Sequence, residues 1–296
     1  MERSNKKMKN IYVITGGASG IGLATAKMMP KENSLVIISG RNEEKLINAT
    51  KEIKECGINV EYYVCDTSNR ENVEKLAIFA KSKGNVVGVV NSAGVSGTGV
   101  SSENVLRINA LGTKYINQEF FKVMDGGCIC DVASCSAYTL PKILIPEKFY
   151  YYALRDENLF LEKMIKRCKL LGKEKASQIA YCLSKNFVIW YVKNSAYKYA
   201  KEKNIRVVSV SPGFVHTPMT VKEANEPGTQ LCLHYSGFDR GAKPEEIGYL
   251  ISSVINPQNG YLTGTDILVD GGSTSAGFGI KVVNKPDSRP EIKENW

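Results

Sequence analysis

Histidine is almost missing from this chain. There are two, His216 and His234, and neither sits in a pattern that supplies further ligands. Eight cysteines are present, but they are scattered, without disulfide-framework spacing or paired CxxC motifs. No metal site is expected, because a structural zinc needs about four Cys or His ligands brought together. The densest thiol group, Cys128 and Cys130 with Cys135, reads as thiols in and beside a buried strand. Scattered free thiols suit a reducing, cytoplasmic setting. Any long uncharged apolar run is also lacking, so no membrane-spanning helix is expected. The opening "MERSNKKMKN" is basic and polar, and no apolar leader segment follows it. The formal net charge is +9, but Lys and Arg are spread along the chain and interleaved with Glu, as on the outer faces of helices. With no RNP, zinc-finger or helix-turn-helix pattern, nucleic acid is not an expected partner, whereas an anionic phosphate ligand is compatible with the charge.

What is present alternates. Short apolar runs, "IYVIT" (Ile11–Thr15), "SLVIIS" (Ser34–Ser39), "VEYYVCD" and "VVGVVN" (Val86–Asn91), are separated by helical patterns. "IGLATAKMM" reads as a helix with Pro30 near its end, and "NEEKLINATKEIKECG" as one stopped by a glycine cap at Gly57. A helix is expected over about 102–124, followed by the strands "CICDVAS", "IRVVSVSPG" and "DILVDGG". Val/Ile runs alternating with helices predict an α/β fold, a doubly wound parallel sheet covered on both faces, with ligands at the carboxyl ends of the strands. One domain is expected over residues 1–296. Its core spans about 10–272, an insertion about 138–176, and a tail about 273–296.

The first strand runs into "TGGASGIG". Gly16, Gly20 and Gly22 stand where the backbone turns into a helix whose free N–H groups favour a pyrophosphate, with Ser19 and Ile21 between them. The second strand ends in "SGRNEEKL", with Gly40 where a ribose-binding carboxylate would stand, and then Arg41. A guanidinium there suits a 2′-phosphate, which favours NADP(H). An Arg41 that only stacks on adenine or faces water leaves NAD(H) open. In "SQIAYCLSK", Tyr181 and Lys185 are four residues apart and share one helical face. A nearby ammonium favours the phenolate and lowers a phenol pKa from about 10.

"TGGASGIG", "NSAG", "YCLSK" and "SPGFVHTP" in this order resemble the classical short-chain dehydrogenases/reductases, over about residues 10–272. The resemblance implies a Rossmann fold and hydride transfer between a nicotinamide and a substrate alcohol or ketone. Tyr181 would be the proton donor and acceptor, with Lys185 on the nicotinamide ribose. Ser134 would hold the substrate oxygen, with Ser136 as the other candidate, and Asn109 would join a proton relay through water. On the cofactor, Asp66 and Thr67 match the adenine contacts. Asn91, Ala93 and Gly94 match the turn on the adenosine side, and Pro212, Gly213, Val215 and Thr217 match the carboxamide loop. His216 occupies a variable position of that loop. Relatives of this family form homodimers or homotetramers through two central helices.

One departure stands out. Tyr181 follows Ser134 by 47 positions, a longer connection than is usual in the family. Within it Leu161, Met164, Ile165, Cys168 and Leu170 or Leu171 form one apolar stripe. A longer connection here resembles the bacterial 3α-hydroxysteroid dehydrogenase/carbonyl reductases. It implies a bulky apolar small-molecule substrate such as a steroid or bile acid; the competing reading is that the insert extends the core or covers a subunit surface. Met219, Leu231, Leu233, Tyr235 and Phe238, after the carboxamide loop, are candidate pocket walls. The alternative function is a redox sensor that binds cofactor without turnover. Retention of both Tyr181 and Lys185 argues against it.

Overall fold

The computed structural model describes residues 8–221, 225 and 227–277. The expected tail is therefore mostly outside the described residues. Seven parallel strands form one sheet in the order β3-β2-β1-β4-β5-β6-β7. They are β1 (Asn10–Thr15), β2 (Ser34–Gly40), β3 (Val60–Val64), β4 (Asn85–Asn91), β5 (Gly127–Val132), β6 (Ile205–Pro212) and β7 (Asp266–Val269). The chain winds outward from β1 to β3, then restarts at β4 on the other side of β1. This reversal leaves a crevice at the carboxyl ends of β1 and β4, where ligands of such sheets bind.

Alternation along each strand builds the two cores. Ile11, Val13, Leu35, Ile37, Val89 and Ile129 face one side, and Tyr12, Ile14, Val36, Ile38, Val90 and Cys130 the other. The second side is covered by α1 (Gly20–Ala26), α2 (Glu43–Glu55) and, later in the chain, α11 (Pro244–Ile255). The first is covered by α3 (Arg70–Lys83), α4 (Ser102–Val105), α5 (Gly112–Val123) and, after the insertion, α8 (Ala176–Lys203). Side-chain oxygens of Asn42 and Asn69 accept the Lys45 and Asn72 N–H groups at the starts of α2 and α3. Gly57, at φ +78°, ends α2 as expected and donates to the Lys54 carbonyl. Two boundaries differ from expectation. α1 stops at Ala26, four residues before Pro30. The helix expected over 102–124 is interrupted by a π-helical stretch, Leu106–Leu111, that contains Asn109.

The insertion contains α6 (Glu147–Tyr150) and α7 (Glu157–Cys168), with short 3₁₀ turns around them. Phe160, Leu161, Met164 and Cys168 are buried in the first core, and Ile165 is half-buried; Leu170 is 61% exposed and lies off the stripe. Tyr150 is fully buried, edge-on to Phe187 and Trp190 of α8, and its hydroxyl donates to Asn186 Oδ1 at 3.1 Å. Lys114 of α5 is ion-paired with Glu157. Of the two readings of the insertion, extension of the core is what the packing shows. The segment covers parts of the same two central helices through which family resemblance implied self-association. Because it lies there, Phe187–Val192 is buried on every side, which an ordinary surface helix would not be.

Phe160→Ala empties a fully buried site and is expected to lower stability by about 3–5 kcal/mol, read from the denaturant midpoint. A loss under about 1 kcal/mol would show that the insertion is peripheral.

Candidate active site

Carboxyl ends of β1, β4, β5 and β6 converge on a cleft of about 180 Å³. Gly16, Ser19, Gly20 and Ile21 line it from the first turn, Ala93 and Gly94 from the turn after β4, and Ser134 from the turn after β5. Tyr181 and Lys185 enter from α8, and Pro212, Gly213, Val215 and Thr217 from the loop after β6. The first turn needs its glycines. Gly16 has φ +65°, and a Cβ on it would stand 2.9 Å from the Ala93 amide nitrogen. A Cβ on Gly22 would lie 2.5 Å from the Gly16 carbonyl oxygen, so Gly22 serves the cleft by close packing and does not line it.

A second cavity of about 360 Å³ opens beside the first and shares Ser134, Tyr181, Gly213 and Thr220 with it. Its other walls include Cys135, Ser136, Gln178, Cys182, Phe214, Leu231 and Cys232. Ser134 therefore stands at the junction, whereas Ser136 lines only the second cavity. The Ser136 N–H donates to Ser134 Oγ at 3.2 Å. Of the candidate wall residues, Met219 lines the cleft and Leu231 the cavity. Tyr235 is buried behind Cys232, Phe238 is largely exposed, and Leu233 lines neither space. From the insertion only Thr139 reaches this cavity.

Lys185 is 7% exposed, and its Nζ donates to the Val132 carbonyl at 2.8 Å. The same Nζ lies 5.9 Å from the Tyr181 ring centroid. Burial pushes the Lys185 ammonium down to about 8, and the Asp131 carboxylate pulls it back up. Asp131, next to Val132 in β5, is fully buried. Burial raises it to about 6, opposed by hydrogen bonds from Asn91 and Asn117 and by attraction to Lys185. Asn91 Nδ2 donates to Asp131 Oδ1 at 2.9 Å, and Asn117 Nδ2 donates to both Asp131 oxygens. Thr15 and Thr113 complete the set, donating to and accepting from Asn91 respectively. Sequence reading missed this network. Its one visible trace was an aspartate inside the otherwise apolar strand "CICDV".

Asn91 and Asn109 are both buried, and their side chains are spent on structure. Asn109 Oδ1 accepts from the Val95 N–H, and its Nδ2 donates to the Val95 carbonyl and to Ser184 Oγ. The Asn109 side-chain amide is thereby occupied, and its backbone carbonyl accepts from Thr113 Oγ1. What Asn109 does is pin the turn carrying Gly94 beside Lys185: a Cβ on Gly94 would sit 3.5 Å from Nζ. At the carboxyl ends of β2 and β3, Arg41 is exposed, and Asp66 is half-buried with Oδ1 accepting from Ser68. Thr67 is buried with its hydroxyl turned towards Gly112. None of the three lines the cleft, although Arg41 and Asp66 share its end of the sheet. His216 lies edge-on to Phe214 and lines neither space. Among the described residues no group of three or more His, Cys, Asp or Glu could hold a metal, and no helix is long and apolar enough to cross a membrane.

Comparison with known proteins places the architecture. The short chain dehydrogenase family model matches residues 10–143, and a model described as enoyl-(acyl carrier protein) reductase matches 171–274. The chain belongs to the short-chain dehydrogenase/reductase family. This dehydrogenase/reductase is 27% identical over 263 residues to the 3-oxoacyl-(acyl-carrier-protein) reductase FabG of Thermotoga maritima, covering 88% of this chain and 96% of that one. Over 272 residues it is 27% identical to a 7alpha-hydroxysteroid dehydrogenase of Clostridium sardiniense, covering 88% and 92%. Actinorhodin polyketide ketoreductase, solved with NADPH, shares the fold at TM-score 0.70 and 23% identity, covering 90% of this chain and 97% of that one. As a family member the chain is an oxidoreductase that uses a nicotinamide dinucleotide.

Asp131→Asn removes the attraction that holds Lys185 protonated. The Lys185 pKa then falls below about 8, and the alkaline limb of the pH–turnover profile is expected to move to lower pH. An unmoved limb would show that Asp131 does not act on Lys185.

Proposed function

We propose that this oxidoreductase interconverts a secondary alcohol and a ketone with NADP(H), and that its substrate is a bulky apolar molecule of the hydroxysteroid or bile-acid class. One observation carries the reading: Tyr181 and Ser134 stand where the cleft beneath the glycine turn meets a separate cavity large enough for a substrate. The residues present fit a dinucleotide. Gly16, Gly20 and Gly94 keep side chains out of the space between the first turn, the β4 turn and Lys185.

Bound there, the dinucleotide supplies or receives the hydride. Gly16, Ser19, Gly20 and Ile21 would hold its pyrophosphate, Arg41 its 2′-phosphate and Asp66 its adenine. Pro212, Gly213, Val215 and Thr217 would receive the carboxamide. The Lys185 ammonium, kept charged by Asp131, would hold the nicotinamide ribose and bias Tyr181 towards phenolate. Tyr181 Oη would give its proton to the carbonyl oxygen in reduction and take it back in oxidation. Ser134 Oγ would donate a hydrogen bond to that oxygen, fixing it against the phenol. The hydroxysteroid dehydrogenase relatives support the substrate class, and the second cavity beside Ser134 and Tyr181 offers space for a small molecule.

The test is a spectrophotometric panel of ketosteroids, bile acids and simple carbonyls with NADPH and NADH. Turnover is expected for oxo-steroids with NADPH, and Tyr181→Phe is expected to lower it at least about hundredfold while cofactor binding stays intact. Near-wild-type turnover of that variant would reject Tyr181 as the proton donor. Arg41→Asp is expected to reverse the preference towards NADH, since a carboxylate repels the 2′-phosphate and suits a ribose hydroxyl. An unchanged NADPH/NADH ratio would show that Arg41 does not read the phosphate.

A further inference from the structure

Two thiols that are 97 positions apart in sequence meet in the wall of the second cavity. Cys135 follows Ser134 directly, in the 3₁₀ turn Cys135–Tyr138. Cys232 belongs to α10 (Pro227–His234), which follows the short helix α9 (Pro218–Val221). Their sulfurs are 3.9 Å apart. Both residues line the cavity, at 4% and 5% exposure, so small solutes in the cavity reach them. Tyr235, Phe214 and Leu231 pack around the pair.

The surroundings separate the roles of the two sulfurs. The contact with Cys135, in which either sulfur can donate, holds Cys232 below an ordinary thiol against the burial that raises it, with help from Ser273 Oγ at 3.7 Å. The same contact pushes Cys135 well above. Cys232 is thus the more acidic sulfur of the two, and the thiolate is the reactive form. Cys182 lines the same cavity but faces a hydroxyl: Thr139 Oγ1 donates to it at 3.4 Å.

We propose that Cys135 and Cys232 form a peroxide-oxidisable dithiol whose disulfide fastens α10 to the turn that carries Ser134. The Cys232 thiolate attacks one oxygen of hydrogen peroxide, the O–O bond breaks and hydroxide leaves, giving Cys232 sulfenic acid. The Cys135 sulfur then attacks the Cys232 sulfur. An S–S bond forms, the S–O bond breaks, and the oxygen departs as water with the Cys135 proton. Two thiols lose two electrons in total, and one peroxide becomes two waters. Closing 3.9 Å to the covalent distance of about 2 Å needs rotation of the two cysteine side chains or a small shift of α10 towards Ser134. The cavity is then tied across the wall that holds the Ser134 turn, and substrate access falls. Dithiothreitol reverses the change by exchange, becoming a cyclic disulfide itself.

The experiment uses the full chain, reduced, desalted and exposed to graded hydrogen peroxide, then mapped as peptides without reductant. The expected product lacks two hydrogens and joins the Cys135 peptide to the Cys232 peptide. Dithiothreitol removes the link, and Cys135→Ser and Cys232→Ser each prevent it. Turnover of the oxidised protein is expected to fall at least tenfold and to recover with dithiothreitol. The proposal is overturned if both thiols stay reduced where half-exposed Cys56 oxidises, if either pairs with Cys182 instead, or if a formed link leaves turnover unchanged. The effect on turnover rests on the alcohol–ketone reading above, but the peptide map needs no turnover. A missing link leaves that reading standing, and a missing activity leaves the link readable.

Discussion

A lysine ammonium is held out of water beside a tyrosine, and much of the surrounding structure makes that tolerable. Desolvation pushes Lys185 towards the neutral amine, which would not favour a phenolate beside it as the ammonium does. The chain answers with one hydrogen bond from Nζ to the Val132 carbonyl and with a buried carboxylate one residue earlier in the same strand. That carboxylate is itself costly to bury. Asn91 and Asn117 aim N–H groups at it, and Thr15 and Thr113 hold Asn91 in turn. The network reaches from β1 through β4 and β5 to α5. The charge of one side chain at the site thus depends on the registration of three strands and a helix. Half-satisfied networks of this kind cost more than an apolar core, so each member depends on the others.

Geometry is maintained by a second device, the burial of α8. Its central residues are covered by the sheet on one side and by the insertion on another, with Tyr150 wedged against Phe187 and Trp190. A helix fixed on several sides holds Tyr181 and Lys185 at constant distance from the strand ends. The π-helical stretch at Asn109 works in the same direction. It turns an amide inward, where it clamps both backbone groups of Val95 and so positions the Gly94 turn against Lys185.

The reactive side chains lie between two spaces of different character. The narrower one is bounded by glycines and backbone, which suits a flat, charged, extended ligand. The broader one is bounded by thiols, a phenylalanine, a leucine and small hydroxyls, which suits a less polar body with one oxygen to present. Three of its wall residues are cysteines, from three separate stretches of chain. Pairing of two of them, as proposed above, would make part of the cavity wall answer to oxidants.

Strand alternation, the glycine turn and the i, i+4 spacing of Tyr181 and Lys185 were all legible from the residues alone. Each is a local rule, set by backbone sterics or by helical and strand periodicity. The sheet, its two covered faces and the cleft at the strand ends follow from such rules together with crossover handedness. Other properties were decided only in three dimensions. The partners of the Asn109 amide, Val95 and Ser184, were not legible in the sequence, and the two readings left open for the insertion were separated only when its apolar stripe was seen against α8. Asp131 and the Cys135–Cys232 contact gave almost no local sign, because electrostatic and sulfur–sulfur partners are chosen by proximity after folding, not by spacing along the chain.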